Sequence, residues 1–212
     1  VIAVVDYGMG NRRSVQKALE HVGAQVRVTA DAQEIADADG LVVPGVGAFP
    51  AAMESLVARG LVEPIRDAAA QGRPVLGICL GMQLLLERSS ELGDTPGLGL
   101  IPGQVTLLDT GSPPTRRIPH IGWNDVSLQR PAPLTDQLPA AGAAFYHVHS
   151  YAARPTDRSD VVGTTTYGET FASIIARGAV MGTQFHPEKS SVHGLALLRG
   201  FAQCCVPAPA RA

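Results

Sequence analysis

Short apolar runs bounded by turn residues set the rhythm of the first half of the chain, at Val1–Asp6, Gln25–Val28, Gly40–Val43 and Pro74–Cys79. Their apolar residues are nearly continuous rather than alternating, which is how strands read when a parallel sheet is covered on both faces. Between them, Ser14–Val22 and Phe49–Gln71 repeat apolar residues at helical spacing. The pattern predicts strands alternating with covering helices. The second half changes character: Gln104–Leu108, Ala143–Tyr151, Val161–Thr166, Phe171–Ile175 and Ala179–Phe185 read as successive strands joined by short turns. An antiparallel extension of the sheet is expected there. A helix from Ser191 to about Cys204 follows, and Val206-Pro207-Ala208-Pro209 reads as a fraying end. The expected fold is α/β, one domain over residues 1–205 with a tail at 206–212, its mixed, mostly parallel sheet flanked by helices.

One of the apolar runs carries chemistry. Pro74-Val75-Leu76-Gly77-Ile78-Cys79-Leu80-Gly81-Met82-Gln83 places a cysteine between two glycines where a buried strand gives way to the helix-forming stretch Met82–Arg88. That is the nucleophile-elbow pattern with sulfur in place of oxygen. A thiol at the start of a helix faces the positive end of its dipole, which favours the thiolate, the nucleophilic form. About half the chain later stands Gln184-Phe185-His186-Pro187-Glu188. In an extended segment His186 and Glu188 leave on the same face, so Glu188 can hold one ring nitrogen while the other meets Cys79. A lone cysteine after a hydrophobic strand is more often a small core residue. The glycine spacing and the downstream His-Pro-Glu together favour a nucleophile and its base.

Composition narrows the class. Among 212 residues, 17 basic and 19 acidic side chains give a formal charge of −2, and the arginines cluster only in pairs such as Arg12-Arg13 and Arg116-Arg117. Nothing here suits a nucleic-acid partner. No apolar run approaches membrane-spanning length, and Val1–Val5 lacks the charged flank of a signal peptide, so a cytoplasmic protein is expected. A first residue other than Met implies processing or trimming. Three cysteines, an odd number, fit a reducing compartment. Cys204 and Cys205 lack metal-ligand spacing, and neither a metal nor a cofactor is expected.

Sheets of this kind bind ligands at the carboxyl ends of their strands, where Cys79 falls. Pro44-Gly45-Val46-Gly47 also ends a strand, and its backbone N–H groups, with that of Leu80, are oxyanion-hole candidates. The alternative is an ordinary glycine-rich turn. Asp6-Tyr7-Gly8-Met9-Gly10-Asn11 lacks the third glycine of a dinucleotide fingerprint. His147-Val148-His149-Ser150-Tyr151 ends a later strand, where histidines are more often hydrogen-bonded structure than bases.

With these motifs in hand, the chain resembles the class I (triad) glutamine amidotransferases over nearly its whole length. Pro44-Gly45-Val46-Gly47, Gly77–Gln83 and His186-Pro187-Glu188 stand in that family's order. The segments Asp6–Asn11, Pro44–Phe49, Pro119-His120-Ile121-Gly122-Trp123-Asn124 and His186–Ser190 look most like the branch that serves imidazole glycerol phosphate synthase. The resemblance implies a flavodoxin-like core and a Cys79, His186, Glu188 triad. It further implies an oxyanion hole at Val46 and Leu80, and glutamine contacts from Gly47, Gln83, Ser150 and Tyr151. It also implies an ammonia-consuming (β/α)8-barrel cyclase as partner in a heterodimer, with Trp123 at the interface and Asn11, Tyr146 and Lys189 near the ammonia gate. For Trp123 the composition alone favours a core position. A glutaminase subunit of another ammonia-channelling synthase, a free-standing cysteine amidase or γ-glutamyl hydrolase, and a dormant binding subunit are the competing readings.

Overall fold

The computed structural model describes residues 1–206. Of the expected tail, residues 207–212 lie outside the described residues. In chain order the first half runs β1 (Ile2–Val5), α1 (Arg12–His21), β2 (Val26–Thr29), α2 (Ala32–Asp37), β3 (Gly40–Gly45), α3 (Phe49–Ala58), α4 (Val62–Ala70), β4 (Val75–Cys79) and α5 (Leu80–Leu84). There follow β5 (Leu86–Ser89), β6 (Thr95–Pro96), β7 (Ile101–Leu107), β8 (His120–Leu128), β9 (Ala143–His149), β10 (Tyr151–Pro155), β11 (Val161–Tyr167), β12 (Glu169–Arg177), β13 (Val180–Thr183) and α6 (Ser191–Cys204).

Among the described residues a nine-stranded sheet has the order β2-β1-β3-β4-β13-β12-β11-β8-β9. It is parallel from β2 to β13 and antiparallel from there to β9. A smaller sheet, β10-β7-β5-β6, packs beside it. Strand alternation divides the core in two. Ile2 and Val4 of β1 face α1 and α6, where Leu19, Leu197 and Phe201 are fully buried, while Ala3 and Val5 face α3, α4 and the small sheet. The apolar continuity of these strands therefore has a direct cause: both faces are covered.

Three expectations change at their edges. Phe49–Gln71 is two helices, because Gly60 at φ 66° ends α3 in the left-handed conformation that favours glycine. The helix expected over Met82–Arg88 stops at Leu84, since Leu86 onward pairs with β7 and sheet pairing overrides helix propensity. Ala143–Tyr151 breaks at Ser150, with β9 in the large sheet and β10 in the small one. The segment around Trp123 is an unanticipated strand, β8, paired with β9. Among the described residues no helix is long and apolar enough to cross a membrane.

Cys205 has a packing role. A Cβ on Gly40 would come within 2.2 Å of its sulfur, so the bare glycine makes room for it. Burial, followed by its neighbours Cys204 and Asp39, pushes the Cys205 thiol up to about 12. That is a poor nucleophile at neutral pH.

Candidate active site

Cys79 ends β4 at φ 56° and ψ −110°, a conformation that a residue with a Cβ rarely adopts. Two glycines make the turn possible. A Cβ on Gly77 would meet Gly81 O at 2.5 Å, and one on Gly81 would meet Val43 O at 1.8 Å. The first turn of α5 therefore lies against both its own strand and β3. Pairing of β4 with β3 and β13 fixes the strand beneath it. The expected helix dipole is weak, because α5 has only five residues.

His186 Nδ1 lies 2.9 Å from Glu188 Oε1, and both side chains are almost fully buried. The segment is not extended as expected: His186 precedes the 3-10 turn Pro187–Lys189, which swings Glu188 back beneath the ring. The turn is anchored where His186 N–H donates to Tyr146 O at 3.0 Å and Ser190 Oγ donates to His186 O at 2.6 Å. Burial opposes a charged imidazole, but contact with Cys79 in its thiolate form and with Glu188 outweighs it and raises the His186 pKa to about 9, so the proton shared by the pair rests on the imidazole once the thiolate has formed. His186 Nε2 is buried and makes no hydrogen bond, whereas the Cys79 thiol is directed at Val148 O, 3.8 Å away. The resting arrangement thus has the His–Glu hydrogen bond formed, with the Cys79 sulfur close enough to act on the imidazole although no Cys–His hydrogen bond is made.

A pocket of about 280 Å³ opens in front of Cys79, lined by Val46, Gly47, Leu80, Gln83, Glu91, Pro119 and residues Val148 through Tyr151. All the residues expected to touch glutamine or its oxyanion are among these. Leu80 opens α5, a position whose N–H has no intrahelical partner. Gly47 sits at φ 102°, so the loop after β3 turns at a residue free to rotate. The foot of that loop is held. Tyr7 Oη donates to Pro44 O at 2.6 Å, and a Cβ on Gly45 would fall 2.7 Å from the same hydroxyl. The Asp6–Asn11 segment, which read poorly as a cofactor loop, is a buttress for this one.

The outward face of β8 and β9 runs away from the pocket. Ile121 pairs with Val148 and Trp123 with Tyr146, so Val148 at the pocket shares a face with Trp123. Trp123 is 56% exposed and stacks edge-on against Tyr146, which overturns the core position that composition favours. Lys189 is exposed on the turn that carries Glu188. Asn11 lies at the start of α1, where its side chain accepts the Ser14 N–H at 3.3 Å; it does not line the pocket.

On the inner face of β8 and β9, His120, His147 and His149 bring ring nitrogens within 4.8 Å of one another, close enough to share a divalent metal. His120 and His149 use those nitrogens in a hydrogen-bonded chain, while His147 Nδ1 also approaches His149 Nε2 at 3.3 Å and His147 Nε2 is buried without a partner. Tyr151 O can only accept, so His149 Nδ1, 2.9 Å away, donates and His149 Nε2 accepts. His120 Nδ1 then donates to it at 3.2 Å, leaving His120 Nε2 to face the Asn124 amide N–H at 3.3 Å. His120 and His149 thus form a hydrogen-bonded chain along the strands. Burial, the first cause in each case, lowers His120 to about 4 and His149 to about 3, so both rings are neutral.

Two residues given no role from the sequence belong to the site. Glu91 brings a carboxylate to the pocket while its Oε2 accepts the Phe49 N–H at the start of α3. Gln184, fully buried, reaches the Cys79 sulfur with its side-chain nitrogen at 3.9 Å. Its place two residues before His186 in the same short motif was the available signal.

The sequence matches the family described as Glutamine amidotransferase class-I over residues 3–203. It is 50% identical over 202 residues to a protein of Moorella thermoacetica named imidazole glycerol phosphate synthase subunit HisH, covering 95% of this chain and 94% of that one. A protein of the same name from Syntrophotalea carbinolica is 49% identical over 206 residues, covering 95% and 98%. A crystal structure of a glutamine amidotransferase superposes with a TM-score of 0.73 at 19% identity, covering 97% and 99% of the two chains, a likeness of fold.

The raised His186 value yields a prediction. Because about 9 in the folded chain lies above the ordinary 6.5, the group adds stability fully below pH 6.5 and loses that contribution as the pH rises through 9. An NMR titration of the imidazole should place its midpoint near 9, and Glu188→Gln should lower it by roughly one unit or more and flatten the stability slope across that window. A wild-type midpoint at or below 6.5 would show that burial wins.

Proposed function

Since the chain belongs to the class-I glutamine amidotransferase family, we propose that its strained cysteine hydrolyses glutamine to supply ammonia within imidazole glycerol phosphate synthase. The chain is the glutaminase subunit of that enzyme, in histidine biosynthesis, and residues 1–205 form its glutaminase domain. The observation that carries the reading is the Cys79 elbow, with His186 and Glu188 buried behind it and an amino-acid-sized pocket in front.

In the reaction, the Cys79 proton passes to His186 Nε2 and the sulfur attacks the side-chain carboxamide carbon of glutamine. The carbonyl oxygen takes the electron pair and is received by the Val46 and Leu80 N–H groups, each such donor being worth about 10²–10³ in rate. His186 then protonates the nitrogen, ammonia leaves and a thioester remains. Water, giving its proton to His186, cleaves the thioester; glutamate leaves and the thiol is restored. Glu188 fixes the ring tautomer and balances its charge throughout. Gly47, Ser150 and Tyr151 frame the substrate, Gln83 holds the Tyr151 carbonyl, and Glu91 offers the complement to the α-ammonium group.

The partner is a (β/α)8-barrel cyclase that joins the ammonia to the nucleotide PRFAR, giving imidazole glycerol phosphate and AICAR. Ammonia escaping to neutral water would be protonated and lose its nucleophilicity, so the barrel must cover the exit. The exposed Trp123–Tyr146 face beside the pocket suits that docking, and the turn carrying Lys189 is tied to Tyr146; by family resemblance Asn11, Tyr146 and Lys189 belong near the ammonia gate. Three free cysteines and the absence of a membrane-crossing helix among the described residues support a cytoplasmic site of action.

Cys79→Ala should abolish glutamine-dependent synthesis in the assembled enzyme while synthesis from added ammonium salt persists, because the barrel never uses the thiol. Loss of both activities in a folded, assembled variant would contradict this division of labour. Trp123→Ala should weaken association with the barrel by roughly 2 kcal/mol, read by calorimetry, with little change in the melting temperature of the free chain. A drop in that melting temperature without loss of affinity would make Trp123 a structural residue.

A further inference from the structure

Behind the nucleophile two buried amides are locked together. Gln83 spends one N–H on Tyr151 O at 3.0 Å and the other on Gln184 Oε1 at 3.1 Å. The Gln184 nitrogen is thereby turned toward Cys79 Sγ, 3.9 Å away. The orientation is fixed by valence. Tyr151 O can only accept, so Gln83 presents N–H groups on this side, and Gln184 must answer with its oxygen. Flipping Gln184 would set N–H against N–H at Gln83 and an oxygen lone pair against the sulfur. Tyr151 O also receives the His149 N–H, so the carbonyl that orients the pair is itself held in place.

This geometry answers an electrostatic problem at the elbow. The resting thiol points at Val148 O, 3.8 Å away, a carbonyl that would repel the sulfur once its proton has left. The short α5 offers little field to offset it. Gln184 supplies an N–H donor to the sulfur inside a fully buried shell, where such a bond is stronger than in water. Resting on the glutaminase reading, we propose that Gln184 is a further catalytic residue, whose amide N–H holds the Cys79 sulfur and stabilises it as the thiolate. It acts in both half-reactions, when the proton leaves sulfur for His186 and when the thiolate departs from the thioester carbon. Gln83 is its positioning residue.

The test is the pH dependence of Cys79 alkylation by iodoacetamide, followed by mass spectrometry of the Cys79 peptide in the full chain, with glutamine turnover of the assembled enzyme measured alongside. Gln184→Met removes the N–H at nearly constant volume; Gln184→Glu keeps the acceptor for Gln83 and puts oxygen against the sulfur, so one variant remains if the other fails to fold. Each should raise the alkylation midpoint, slowing alkylation at pH 7 about tenfold, with Gln184→Glu the slower. Turnover should fall about tenfold with KM within about twofold, since the lost bond is to the nucleophile rather than to substrate. An alkylation profile like that of wild type in a folded variant would overturn the proposal whatever happens to turnover. Because alkylation requires no glutamine, a wild-type enzyme that proved inert toward glutamine would refute the functional reading separately.

Discussion

The structure turns on one backbone constraint: a cysteine at φ 56° and ψ −110°, held between glycines whose missing Cβ atoms let the chain fold back on β3. A conformation of this kind costs of order 1–3 kcal/mol and persists only where its surroundings over-determine it. Here they do. β4 is paired on both sides, Leu80 and Met82 are buried beneath the turn, and the Cβ-less Gly182 on β13 makes room for Met82. The strain lifts the sulfur out of the sheet at the carboxyl ends of its strands while keeping it only 5% exposed. The pocket, the His186–Glu188 pair and the loop after β3 are then arranged around a point that cannot drift.

Around that fixed sulfur the groups divide by charge. His186 and Glu188 form a hydrogen-bonded pair whose mutual contact is complete at rest. The Val148 carbonyl and the Gln184 amide face the sulfur with opposite polarity, one accepting its proton and the other donating to its lone pair. The balance among these contacts decides whether the proton sits on sulfur or on His186, and the raised His186 value favours the imidazole. The loop above is anchored at Pro44 by Tyr7 and turns at Gly47, a residue whose φ of 102° suits glycine. Under the proposed function, rotation of a single peptide there would switch an oxyanion donor on or off without disturbing the sheet. Val148 and Trp123 share one face, and Val148 lines the same pocket as that loop.

The sequence discloses what is local and leaves hidden what is assembled across the fold. Gly77, Cys79 and Gly81 lie within five residues, and only a tight elbow calls for that spacing, so the elbow and the fold class are both legible. His186 and Glu188 are legible as partners, although the 3-10 turn between them is not, because proline at position 187 suits either an extended or a turn conformation. The Gln83–Gln184 contact joins residues 101 positions apart, and no periodicity reports such a pairing. Trp123 shows the limit of composition: a lone aromatic residue reads as core until β8 is seen to pair with β9 and turn Ile121 and Trp123 outward. The helix expected through Arg88 fails for a similar reason, since its competitor, the strand β7, comes from well downstream.

The central claim is that the elbow makes Cys79 the nucleophile for glutamine, and covalent trapping tests it most directly. The chain would be incubated with a diazoketone analogue of glutamine and its mass and labelled peptide determined. The account predicts one adduct, on Cys79, whose formation glutamine suppresses and from which Cys204 and Cys205 are spared. Labelling spread over the other cysteines, or a Cys79 that reacts with simple alkylating agents but never with the glutamine analogue, would contradict it.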